Sequence, residues 1–274
     1  MSTDINDITI SILLPTRGRT DALKRSLDSL FDTAHDVSGL ELMLGMDDDD
    51  QSTRAWIESN LLPDLDHRGV SYSVLEFQPL GYARLNEYVN GLARHSQGDW
   101  FFFWNDDAVM LSQDWDQIIR QKMQEFCCIR IPTHNQHPYA IFPIVPRAWL
   151  DICGYLSDHQ LSDAWISQIS YMLDVVVNVE VEVIHDRFDL TGANKDETFE
   201  KRVTFEFDPN DPRDFNYLPR RGQRFRDAEK IYKELKSQGR DMSWFESVIN
   251  RKQDPWAKMT GPIYDPNNQI KKWN

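Results

Sequence analysis

The stretch Trp100-Phe101-Phe102-Phe103-Trp104-Asn105-Asp106-Asp107 decides how this chain is read. Five aromatic residues run without a break and stop at a polar residue followed by two carboxylates. A continuous apolar run with a polar end reads as a strand buried on both faces of a sheet. Open α/β sheets place their ligand sites at the carboxyl ends of the strands, so Asp106 and Asp107 sit where a site belongs.

The sequence upstream repeats one unit. Ile8 to Leu14 reads as a strand ended by Pro15, and the polar turn Thr16-Arg17-Gly18-Arg19 follows. Thr20 or Asp21 then caps a helix through about Thr33, with Leu23, Leu27, Leu30 and Phe31 on one face. Leu40 to Met46 gives a second strand running into the acidic residues 47–50. A helix over 52–61, stopped by Pro63, comes next. Val70 to Phe77 is a third strand, and Gly81 opens a helical stretch through His95 before the aromatic run. Strands alternating with helices predict an α/β domain with a mainly parallel, Rossmann-like sheet between helix layers.

Downstream the pattern predicts a helix over 114–126, strands near 128–132 and 140–145, a helix over 161–173, and one alternating strand from Val175 to Ile184. Beyond about Lys195 large apolar runs vanish. The reading divides the chain into a core over 1–195 and a C-terminal extension over 196–274, with helices near 226–237 and 243–251.

Composition narrows the class. The chain has 274 residues, 41% of them hydrophobic, enough for a sizeable core. No run approaches the roughly 18 to 20 apolar residues of a membrane span, and no signal-like segment opens the chain, so a cytoplasmic protein is expected. Three cysteines, two of them adjacent, form no disulfide framework and no zinc pattern. His134, His137 and His159 lack zinc-triad spacing, the residues 47–50 lack the spaced ligands of a calcium loop, and no Walker-type phosphate loop is present. A formal charge of −14 argues against coating nucleic acid with the whole surface.

One window runs the other way. Arg220, Arg221, Arg224, Arg226, Lys230, Lys233, Lys236 and Arg240 face only Asp227, Glu229 and Glu234. Three readings stay open for it: a solvated helix face, a lid whose arginines close over a donor diphosphate, or a docking surface for an anionic acceptor such as DNA.

Adjacent carboxylates are unfavourable unless a cation, a donor network or water compensates. A divalent ion bridging diphosphate oxygens is one solution; a solvated turn capping the next helix is the other. The residues quoted so far resemble a known family. Ile10 to Arg19, the acidic strand end, the helix carrying Arg84, Asn86 and Asn90, and the aspartates after the aromatic run look like a GT-A glycosyltransferase of the broad family 2 type, over roughly 8–190.

The resemblance implies that Pro15, Thr16 and Arg17 meet the nucleoside, that Asp47 or Asp48 reads the base, and that Arg84 faces the diphosphate. Asn86 or Asn90, four residues apart on one helix face, matches the family's asparagine. The usual Asp-X-Asp stands here as Asn105-Asp106-Asp107: Asp107 matches the metal ligand and Asn105 replaces the first aspartate. Asn105 and Asp106 would orient ribose or metal-bound waters. His185, at the end of the late strand, is the second ligand candidate for Mn²⁺ or Mg²⁺. Asp163 matches the family's general base, with Asp158 in reserve; without either, a retaining mechanism is implied. Trp104, Trp115, Trp149 and Trp165 could stack on a sugar or pack in the core.

The expected activity is transfer of a sugar from a nucleoside diphosphate donor, a UDP-sugar favoured, to a hydroxyl by inversion. The acceptor is a glycan, a small molecule, or a hydroxymethylated base in DNA, as for resembling enzymes of bacterial viruses, which would act in a host cytoplasm. Two alternatives remain at this level: a nucleotidyltransferase on a similar sheet, and a catalytically silent nucleotide-sugar-binding module.

Overall fold

The computed structural model describes residues 7–133, 137–186 and 210–252. Strands β1 (Ile10–Thr16), β2 (Leu40–Asp47), β3 (Ser71–Phe77) and β4 (Trp100–Phe103) alternate with helices α1 (Thr20–Asp32), α2 (Gln51–Trp56), α3 (Leu62–Arg68) and α4 (Leu85–His95). A short strand β5 (Ala108–Met110), helix α5 (Trp115–Arg120), strands β6 (Cys128–Arg130) and β7 (Ile144–Pro146), and helices α6 (Arg147–Cys153) and α7 (Ser162–Leu173) follow. Strands β8 (Val176–Asn178) and β9 (Val183–His185), then helices α8 (Leu218–Ser237) and α9 (Ser243–Ile249), come last.

The main sheet has the order β3-β2-β1-β4-β7-β6-β8. Its first four strands are parallel, while β7 runs antiparallel to both β4 and β6. The chain builds outward from β1 through β2 to β3, then crosses back to place β4 on the other side of β1. That reversal is a topological switch point, which in open α/β sheets opens a crevice at the carboxyl ends of the flanking strands.

The aromatic run is a strand buried on both faces. Phe102 and Trp104 join Ile10, Ile12, Leu14 and the α1 leucines in one cluster, whereas Phe101 and Phe103 join Leu13, Trp149 and Trp165 in the other. Each such side chain contributes about 1.5–3 kcal/mol on leaving water. Gly98 lets β4 start close to β1: its N–H donates to Ser11 Oγ at 2.9 Å, and an added Cβ would lie 2.7 Å from the Ser11 nitrogen.

Several boundaries differ from the sequence reading for local reasons. Strand β1 continues through Pro15 to Thr16. Leu13 accepts from Trp104 N–H, so Pro15, two residues on, turns its missing donor toward the side where pairing with β4 has already ended. Pro63 does not stop its helix. A π-turn over Ile57–Leu61 widens the backbone before it, and the helix resumes with Pro63 in its first turn.

Helix α5 is shorter than the pattern implied, β7 lies later, and α8 starts eight residues earlier. The segment 175–184 is not one strand: β8 pairs parallel with β6, and β9 pairs antiparallel with β5 in a separate two-stranded sheet. The boundary expected at 195 lies outside the described residues. Among them, Ala228, Ile231 and Leu235 of α8 and Phe245 of α9 are buried in the same cluster as Phe101 and Trp149.

Candidate functional site

At the switch point the ends of β1 and β4 touch. Thr16 Oγ1 donates to Asp106 Oδ2 at 2.8 Å, linking the ends of the two strands. Asp106 is 1% exposed, and its other oxygen meets the guanidinium of Arg19. Burial pushes the Asp106 carboxyl upward in pKa; the Arg19 charge opposes this and the neighbouring Asp107 adds to it. Arg19 also reaches Asp107, with Nη1 3.6 Å from Oδ2. Helix α1 braces the same turn, because Ser26 Oγ donates to the Asn105 carbonyl at 2.9 Å and accepts from Trp104 Nε1 at 2.8 Å. Asn105 itself is partly exposed.

The small sheet delivers His185. Its register sets Ala108 opposite His185, and the Asp186 N–H donates to the Asp107 carbonyl at 2.7 Å. His185 Nε2 thereby stands 3.3 Å from Asp107 Oδ1, its ring edge-on to Phe142. Two ligands about 2.1 Å from one ion and at right angles lie about 3.0 Å apart, so the pair fits neighbouring positions around a divalent cation. Among the described residues no three His, Cys, Asp or Glu side chains gather into a metal cluster. Two protein donors leave room for substrate oxygens and water, as Mg²⁺ and Mn²⁺ sites on phosphates require.

The acidic run 47–50 divides its labour. Asp47 is buried, accepts from the Tyr88 hydroxyl, and receives Arg17 Nη1 at 2.6 Å. Burial and this carboxylate together push the Tyr88 hydroxyl up to about 12. Asp48 is exposed. Asp49 pairs with Arg17, and Asp50 caps α2 through the Thr53 N–H at 3.1 Å while accepting from Gly18 N–H at 2.8 Å. Arg17 therefore bridges the ends of β1 and β2, and Pro15 lies at their register with Gly45.

The residues on α4 face different tasks. Arg84, the residue before α4, is exposed and pairs with Glu87 in the helix's first turn. Asn90 is buried and spent on backbone: its amide oxygen accepts from Leu156 N–H at 2.8 Å and its nitrogen donates to the Ser157 carbonyl at 2.8 Å. Asn86 reaches that carbonyl at 3.4 Å. Both asparagines thus pin the loop that leads to Asp158 and α7.

Asp158 is exposed, its carbonyl taking Arg220 Nη1 at 2.8 Å. Asp163 is partly buried in the first turn of α7, where its charge acts on Tyr139. His159 between them is structural: Nδ1 accepts from Leu161 N–H at 3.1 Å, Nε2 lies 3.1 Å from the Arg213 carbonyl, and burial lowers its pKa to about 4.

The basic window disperses in three dimensions. Arg224 is buried over the Phe215 ring, 4.0 Å from its centroid, and donates to the Phe215 carbonyl. Arg226 bonds Gln223, Lys230 lies 3.7 Å from Asp227, Lys236 pairs with Glu246, and Arg240 donates to the Phe126 carbonyl. Arg221 and Lys233 are exposed. Trp104, Trp115, Trp149 and Trp165 are all fully buried, so they pack rather than present a face. His134 lies outside the described residues. No described helix is long and apolar enough to cross a membrane.

Sequence reasoning included Arg19 in the loop after β1 without giving it a role, and passed over Tyr88 and Ser26. The cap expected at Thr20 or Asp21 falls instead at Arg19, which makes no side-chain cap.

The mainly parallel seven-stranded sheet flanked by helices is that of the GT-A glycosyltransferase fold. A mannosyltransferase from Pyrobaculum calidifontis, solved with GDP-Man and Mn²⁺, is similar over 89% of this chain and 79% of its own, at TM-score 0.53 and 13% identity. TarS of S. aureus is similar at lower TM-scores. Residues 1–349 of it with UDP-GlcNAc match at 0.48 and 13% identity, over 66% of this chain and 57% of that one. The longer TarS structure matches at 0.45 and 14% identity, over 65% of this chain but only 35% of its own length. No family model matches the sequence, and no curated protein does.

Proposed function

We propose that this chain is a glycosyltransferase that moves a sugar from a nucleoside diphosphate sugar, a UDP-sugar favoured, onto an acceptor hydroxyl. The observation that carries this reading is the meeting of Asp107 and His185, 3.3 Å apart, beside Thr16 and Asp106 at the switch point of a GT-A sheet.

Asp107 and His185 would hold Mn²⁺ or Mg²⁺, which when bound neutralises the leaving diphosphate as charge develops. Asp106, fixed by Thr16 and Arg19, together with Asn105 would orient the ribose side of the donor. Pro15, Thr16 and Arg17 would border the nucleoside, with Asp47 or the exposed Asp48 facing the base. Arg84, in an exposed ion pair with Glu87, can exchange that carboxylate for a phosphate oxygen at little cost.

Asp163 would take the proton from the acceptor hydroxyl as it attacks the anomeric carbon, giving inversion, with Asp158 as the second candidate. Because most basic side chains of α8 are engaged within the protein, a glycan or small molecule is the acceptor we favour over DNA.

The test is a donor screen with Mn²⁺ that includes UDP-GlcNAc and GDP-Man. Release of UDP or GDP supports the proposal. Pyrophosphate release from a nucleoside triphosphate would point instead to a nucleotidyltransferase, and donor binding without turnover to a silent module.

A further inference from the structure

Arg19 sits where nothing local favours it. It occupies the N-cap of a 13-residue helix without capping it, and the positive end of a helix dipole disfavours a cation. Its guanidinium is nonetheless turned inward, 22% exposed, onto the two carboxylates at the end of β4. The preceding turn is tied down, with Gly18 at φ +66° donating to Asp50 and to Thr53 Oγ1 at 3.0 Å. The four carboxylate oxygens are shared out: Thr16 and Arg19 on Asp106, Arg19 and His185 on Asp107.

We propose that Arg19 is a positioning residue that competes with the divalent cation for Asp107, holding the acidic pair compact until cation and donor arrive together. This rests on the metal-ligand role given to Asp107 and His185 above. With Arg19 in place the trio Asp106, Asp107 and Arg19 carries a single negative charge. The positive charge of Arg19 opposes a divalent ion that arrives alone, whereas an ion accompanied by a diphosphate brings compensating anion. Cation affinity without donor is therefore held down, and cation and donor bind cooperatively.

The experiment is Mn²⁺ titration of the full chain by calorimetry, without and with UDP, for the wild type, Arg19→Gln and Arg19→Lys. Without UDP, Arg19→Gln should bind Mn²⁺ about tenfold more tightly than wild type, from removal of a cation a few ångströms away. UDP should then tighten Mn²⁺ binding less than it does in the wild type. Lysine, a point charge that cannot span both carboxylates, should fall between the two. It also carries the test if Arg19→Gln, which leaves Asp106 buried and uncompensated, does not fold.

Equal Mn²⁺ affinity in the wild type and the folded variants would overturn the role of Arg19 while leaving the metal site standing. Absence of Mn²⁺ binding in all of them, with or without UDP, would overturn both.

Discussion

Asp107 carries two separable loads. Its backbone carbonyl joins β5 to the residue after β9 through Asp186, while its carboxylate faces His185 and Arg19. Asp107→Ala keeps the first and removes the second. We expect nucleoside diphosphate release to fall at least about a hundredfold with the unfolding midpoint close to wild type; a fully active variant would remove Asp107 from the site. His159 makes a different prediction, about pH. Its folded pKa, about 4, lies below the unfolded value near 6.5, because burial and the Leu161 N–H favour the neutral ring. Its contribution is complete above pH 6.5 and is lost as the pH falls toward 4, about 3 kcal/mol in all. Urea unfolding across that range should show His159→Gln losing less stability than the wild type; parallel curves would contradict the assignment. The carboxylate ends were legible at this scale because aspartates after an apolar run are visible in one dimension. The partners Arg19, Tyr88 and Ser26 were not, since each acts across 41 to 88 residues of chain on a group the local pattern does not mention.

At the scale of elements, the segment 175–184 shows what a periodic pattern does and does not carry. Its alternation survives in the fold: Val179, Val181 and Val183 are buried while Glu180 and Glu182 are exposed. The alternation fixes which side chains face inward, but it is silent on which strand lies alongside. Hence one predicted strand became two, the first closing the main sheet and the second delivering His185. The start of β4 is a tighter constraint. Gly98→Ala should cost about 3 kcal/mol in urea unfolding, since a Cβ cannot fit against the Ser11 nitrogen without separating β1 from β4. A loss below about 1 kcal/mol would show that the two strands can part there. The π-turn before Pro63 is likewise a tertiary solution: Ile57, Leu61 and Leu65 are all buried, and holding them on one face outweighs the helix break that proline alone would make.

For the whole molecule, the late helices are part of the core. Ile231 and Phe245 are fully buried in the cluster that holds Trp149 and Trp165, and the Tyr155 hydroxyl donates to Asp227 at 2.8 Å. A chain ending before Leu218 should therefore lose cooperative unfolding and expose apolar surface to a hydrophobic dye, because α6 and α7 would lose their cover. A sharp transition in that truncation would make α8 and α9 an independent appendage. The dispersal of the basic window is a whole-molecule result as well. Seven of the eight cations point around a 20-residue helix and Arg240 follows it; burial, backbone carbonyls and carboxylates take up most of them.

The order of strands and helices, the burial of the aromatic run and the placing of two carboxylates at a strand end follow from sequence alone, because period and punctuation are local properties of the chain. The reversal between β1 and β4, the union of Asp107 with His185 and the inward turn of Arg19 belong to the tertiary structure. Each joins residues through strand pairing or ion pairing at a distance, and local energetics leave those choices open until the sheet closes.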